Sequence, residues 1–160
     1  MAGLTNSRNT PELSDAGRMR VFGVEANTNV YLGGILALDA NGYAVPASAT
    51  TTTANAQRII GRAESVVNGI PGENALNNPG AAGAISITAR KGVFLFDQDN
   101  SITLADLGMV CFALDDHTVT ATDRANGAGV QQYAAAGQVI ALDPSGQVWV
   151  DFWHQASAAA

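Results

Sequence analysis

Few side chains in this sequence have catalytic or metal-binding potential. His117 follows Asp115 and Asp116, and an imidazole beside two carboxylates offers donors for a cation or for acid–base work. The same residue types also build a solvated turn, because an Asp side chain hydrogen-bonds the backbone two residues on. The segment reads as that turn. Residues 97–101, DQDNS, begin like a calcium loop. An EF-hand loop needs Gly at its sixth position and Glu at its twelfth, and those positions hold Ile102 and Gly108. His154 follows Trp153 and has no nucleophile–base motif around it, so it reads as tail or interface. Cys111 is the single cysteine, which excludes an intrachain disulfide or a cysteine zinc cluster. Within the apolar run 108–114, GMVCFAL, it reads as a small buried hydrophobe. Gly127-Ala128-Gly129 lacks the strand–turn–helix setting of a phosphate-binding loop. These residues assign no catalytic group, no cofactor and no metal, and the expected protein is not an enzyme.

Recognition by surface remains. Residues 147–153, QVWVDFW, alternate, with Val148, Val150 and Phe152 on one strand face and Trp149 and Trp153 on the other. An outward Trp pair is a common interface anchor, whereas a strand buried on both faces would take the pair into a core. Either way the aromatics need a rigid frame. Residues 30–46 read as a β-hairpin, because Asn41-Gly42 between apolar runs supplies the two positive φ angles of a type I′ turn. Gly33-Gly34 inside it marks a bulge or bend. Strand signals recur at 18–23, 57–68 (bending at Gly61), 84–89, 91–96, 109–114 and 118–121, and a last hairpin joins 137–142 to 147–153 through Pro144-Ser145-Gly146. Residues 103–108 read as one helical turn ended by Gly108. The stretches 47–56, 69–83 and 123–136 read as loops. No amphipathic helix of ten residues exists, and about eight to ten short strands argue an all-β sandwich or barrel-like domain. The expected organisation is an extended N-terminal arm over 1–17, a single β domain over 18–154 and a flexible tail over 155–160.

With 160 residues and 16.4 kDa, one domain is expected. Apolar residues make up 47% and charged residues 14%, the latter against about 25% in an ordinary domain. So little charge suggests that part of the surface is covered by another protein. Net charge is −6 and Lys91 is the one lysine, which excludes the basic stripe of a nucleic-acid binder. No apolar run reaches the roughly 20 residues that span a bilayer, and the first twenty residues carry no signal-peptide pattern. The expected protein is soluble, membrane-free and made in a cytoplasm.

The order of segments carries a resemblance. Residues 33–47 read GGILALDANGYAVPA, followed by a Thr/Ala-rich run and IGRAE at 60–64. Then come ARKGVFLF at 89–96, ITLADLG at 102–108, VCFALDDHTVT at 110–120, AGQVIALD at 136–143 and GQVWV at 146–150. Taken over residues 20–153, the pattern resembles the capsid decoration, or cement, proteins of tailed bacteriophages.

The resemblance implies a structural virion protein on the outer capsid surface of an expanded icosahedral head, synthesised in the host cytoplasm. It implies the major capsid protein as partner and a homotrimer at local three-fold positions. A cement needs no reactive side chain; it needs a stiff core and extended segments whose many weak contacts add by multivalency. Candidate capsid or subunit contacts are Leu4, Arg8 and Leu13 in the arm, Pro71 and Leu76 in the 69–83 loop, and Trp149 and Trp153. The alternative is a carbohydrate- or host-surface-binding β module on the virion, with Trp149, Trp153 and Tyr43 stacking on sugar rings.

Overall fold

The structure, a computed structural model, describes residues 18–49, 57–67, 75–123 and 133–152, with no side-chain detail for 65–67, 75 and 76. It is all-β. Among the described residues twelve strands form in chain order: β1 Met19–Gly23, β2 Thr28–Tyr31, β3 Ile35–Leu38, β4 Ala44–Pro46, β5 Arg58–Val67, β6 Ala75–Asn78, β7 Ser86–Arg90, β8 Val93–Gln98, β9 Val110–Ala113, β10 Thr118–Thr120, β11 Ala135–Leu142 and β12 Val148–Asp151. The one helical element among the described residues is a 3-10 turn, Leu104–Asp106, capped by Thr103 and Asp106 in a reciprocal capping box. Gly108, at φ +80°, follows it.

The first seven strands build a five-stranded sheet of order β1-β7-β5-β3-β4 and a two-stranded ribbon, β2-β6. The last five close into a barrel of order β10-β8-β12-β11-β9. All pairings in it are antiparallel except β10 against β8. Closure removes the free strand edges that would otherwise template aggregation.

Period-2 alternation fills the barrel. Phe94 and Phe96 of β8, Cys111 and Ala113 of β9, and Val148 and Val150 of β12 all point inward and are buried. Phe152, fully buried just past β12, packs edge-on to Phe96 at 5.4 Å and tilted to Phe94 at 6.0 Å between ring centroids. Cys111 donates from Sγ to the Gly137 carbonyl at 3.6 Å, and burial pushes its thiol up to about 12. That removes the thiolate on which cysteine reactivity depends.

The sheet uses both faces. Ile35, Ala37 and Ile59 turn toward the barrel and join its core, whereas Leu36, Ala63, Ile87 and Ala89 form a second cluster with Val24 and Val30 beneath the ribbon. Strand β3 is therefore an unbroken apolar run because it is covered on both sides. Asn78 of β6, fully buried, fastens the ribbon by donating to the carbonyls of Val24 and Glu25 and accepting from Gly80 N–H. An unpartnered amide at this depth would cost about 1–3 kcal/mol.

Three expectations need correction. Residues 30–46 are not one hairpin: β3 and β4 pair around the Asn41-Gly42 turn, but β2 leaves at Gly33-Gly34 to pair with β6. The 69–83 stretch is not all loop, since β6 lies inside it. The strand read at 109–114 begins only at Val110, leaving Met109 outside and 60% exposed. The long strand over 57–68 forms as β5, with a bulge at Gly61 that shifts its register against β3.

Candidate functional site

The Asp115–His117 segment forms the tip between β9 and β10. One Asp115 Oδ1 accepts from the backbone N–H groups of His117 at 2.9 Å and Thr118 at 2.7 Å. His117 Nδ1 lies 3.0 Å from Asp116 Oδ1 and 3.1 Å from Asp115 Oδ1. The hydrogen bond to Asp116 raises the imidazole pKa against slight burial, and the charges of Asp115, Asp116 and Asp97 add to it. A raised pKa makes this stabilisation complete below the ordinary value of 6.5 and lost as pH rises through the folded value. The three ligand-type atoms lie within 4.8 Å, and Asp115 Oδ1 already accepts from two N–H groups of the turn. The backbone of the tip also holds the two parts of the fold together, because Ile35 N–H donates to the Asp116 carbonyl at 2.6 Å. A Cβ on Gly34 would sit 3.3 Å from that carbonyl oxygen, which gives Gly34 a packing reason, whereas Gly33 has open space around it and is reserved by its φ of +85°.

Residues 97–101 are likewise a clamp. Asp99 Oδ1 accepts from Ser101 N–H, and Ser101 Oγ bonds to Thr120 Oγ1 and accepts from Ala121 N–H. Partial burial opposes ionisation of Asp99, but hydrogen bonds from Ser101 and Thr120 outweigh it and hold the carboxyl below its ordinary range.

Where the sheet meets the barrel, Arg62 stacks over the Phe94 ring at 4.1 Å and pairs with Glu64, which also accepts from Arg90 at 3.2 Å. Burial pushes the Glu64 carboxyl up, and the two arginines more than offset this, Arg62 first, so its pKa falls below the ordinary 4.5. Its stabilisation is then present above about 4.5 and lost as pH falls through the lower folded value. We expect Glu64→Gln to cost about 0.5–1 kcal/mol near neutral pH, given the partial exposure of all three groups. In thermal melts at stepped pH, the gap between variant and parent should close in acid; a gap that persists there would show that packing and not charge is lost.

The sequence-expected contact residues are only partly placed. Leu4, Arg8, Leu13, Pro71 and Trp153 lie outside the described residues. Leu76 is described through its backbone, which pairs with Val30 in the ribbon. Trp149 stands on the outer barrel wall beside Leu95, 37% exposed, while Val148, Val150 and Phe152 take the core. Tyr43 belongs to the β3–β4 turn, half-buried against Gly23 and Gly83, and shares no strand with Trp149.

Two surface features carry more contact potential than these. Charge is divided between the two parts of the chain. Arg18, Arg20, Arg58, Arg62, Arg90 and Lys91 all lie within residues 18–91, and no described residue from 92 to 152 is Lys or Arg. In the barrel stretch sit Asp97, Asp99, Asp106, Asp115, Asp116, Asp123, Asp143 and Asp151. Exposed aliphatic side chains also cluster on the barrel around the 3-10 turn, where Leu104 is 73% exposed and Leu107 and Met109 accompany it. In the full sequence Arg124 is the one cation after Lys91, a skew that a net charge of −6 conceals.

No family model matches the chain, and no curated protein or solved structure matches it either. No helix among the described residues is long and apolar enough to cross a membrane.

Proposed function

We propose that the protein is a structural virion protein that decorates and stabilises the outer surface of an icosahedral phage head by binding the major capsid protein, acting as a homotrimer. The observation that carries this reading is the ordered resemblance over residues 20–153. Its segments coincide with the skeleton of the fold: the β3–β4 hairpin, β5, the β7–β8 junction, the 3-10 turn, β9–β10 and the β11–β12 hairpin. A two-part β scaffold with a closed barrel and a sheet packed on both faces suits a protein that must stay rigid while its surface makes contacts. Low charge and exposed aliphatic groups suit burial against other subunits. Residues 1–17 serve as an arm laid on the capsid or on a neighbouring copy, adding main-chain hydrogen bonds at a sheet edge or along a groove.

Mixing the full chain, and a chain lacking residues 2–16, with expanded capsids devoid of decoration tests this. Saturable binding by the full chain, strongly weakened by the deletion, is expected. Absence of binding by the full chain overturns the proposal; unchanged affinity of the folded deletion removes the arm from it. The alternative, a glycan-binding module, draws on exposed Trp149. It would be favoured by retention on a glycan array without capsid binding.

A further inference from the structure

Among the described residues, the ribbon covers the outer face of the sheet at one end only. At the other end a groove of about 350 Å³ opens. Its floor is Phe22, Leu38, Ile60 and Ala89, and Arg18, Arg20 and Lys91 stand around it. Along β1 the residues 18, 20 and 22 share one strand face, so the arginines rise beside Phe22. Phe22 and Ile60 pack on the outer cluster and not on the barrel core, which places the groove on the side turned away from the barrel. A cationic rim over an apolar floor takes an occupant that is aliphatic and negatively charged.

The barrel carries such an element. Its 3-10 turn presents Leu104, Leu107 and Met109 to solvent around Asp106. The Asp106 carboxyl is held ionised, below its ordinary range, by hydrogen bonds from Thr103 N–H and Oγ1. No described Lys or Arg of the barrel stretch competes for it. Because the groove faces away from the barrel, the two features meet only between molecules.

We propose that the sheet groove of one copy receives the Leu104–Met109 knob of a second copy, in a head-to-tail contact. Two different patches make a heterologous interface, and such an interface closes into a ring when its rotation closes. The inference rests on the self-association in the reading above and supplies its surface; it needs no capsid. Charge complementarity across it sets register and speeds encounter.

Sedimentation velocity of the full chain across micromolar concentrations, with Arg20→Glu, Leu104→Lys and the double variant, tests the contact. Arg20 and Leu104 are both exposed, and melting curves confirm that each variant is folded. Each single variant should weaken association by about tenfold or more, whereas the double variant, which restores opposite charges across the contact, should regain most of it. Mixing the two single variants should also restore association, since one keeps the knob and the other the groove. Raising salt should weaken the parent. A parent that stays monomeric, single variants that associate like the parent, or a double variant no better than either single one overturns the contact. So does loss of association on deleting residues 2–16 without any effect of the charge changes, which would make the arm the occupant. A chain that associates through this contact but leaves capsids bare overturns the decoration reading alone; one that decorates capsids yet is indifferent to both substitutions overturns this contact alone.

Discussion

Gly61→Ala is expected to destabilise the protein by about 3–4 kcal/mol, read as a shifted midpoint in urea unfolding. Two costs combine at this position. Gly61 has φ +139°, a backbone conformation that side chains resist, and such strain is worth about 1–3 kcal/mol. A Cβ there would also sit 2.8 Å from the Arg90 carbonyl carbon and closer still to its oxygen, and overpacking adds roughly 1–3 kcal/mol. The obstacle is backbone in the neighbouring strand β7, paired with β5 through Arg62 and Arg90, so no rotamer change relieves it. Gly42→Ala is the control. Gly42, at φ +89°, has nothing within 4 Å of an added Cβ, and its substitution should cost only about 1 kcal/mol. Equal losses at the two sites would mean that close approach of β5 and β7 does not reserve Gly61.

The second large effect belongs to Phe152. Among the described residues it is the largest fully buried side chain, and it touches both inward phenylalanines of β8. Truncation to Ala removes its transfer free energy and leaves a cavity in a closed barrel whose strands cannot collapse independently. The expected loss is about 4 kcal/mol, a large share of the roughly 5–15 kcal/mol available to a whole domain. Phe152→Leu should cost about half as much. Trp149→Ala, on the outer wall, should cost about 1 kcal/mol or less, because a partly exposed side chain leaves no cavity behind. Denaturant unfolding of the three variants decides it. A Trp149→Ala loss as large as that of Phe152→Ala would place the indole in a core and remove it from any contact surface.

These two residues also mark how far the sequence could be read. Strands β8 and β12 alternate because each has one face in the barrel and one toward solvent, so Phe94, Phe96, Val148 and Val150 are legible as core. The β3–β4 turn is legible because Asn41-Gly42 is local chemistry. Strand β3 hides its period because barrel and ribbon bury both its faces. Strand β6 hides within a Gly-, Pro- and Asn-rich stretch because its partner β2 lies far back in the chain, and a pairing so remote leaves no local pattern. The parallel closure of β10 on β8 is invisible for the same reason. On the surface, alternation put Trp149 on the face opposite Val148 and Val150 but left open whether that face is outward or buried, and the structure leaves it 37% exposed; Met109 merged with the apolar run after it and read as strand. Met19 and Val21 alternate with Arg18 and Arg20 in the sequence, and they are 48% and 62% exposed on edge strand β1, where the neighbouring arginines line the groove.

The division of the chain into a sheet made early and a barrel made late has a consequence for synthesis. Translation delivers β1 to β7 before any barrel strand, and Ile35, Ala37, Ala47 and Ile59 share their core with barrel residues alone. Until the last hairpin leaves the ribosome, the cover of that face is incomplete, because Val139, Val148, Val150 and Phe152 are still missing from it. Strand β12, which pairs with both β8 and β11, is the final piece of the barrel wall to emerge. The chain therefore completes its shared core only once β12 has emerged, and the interval before that is when the unfinished molecule most needs protection from its neighbours on the polysome.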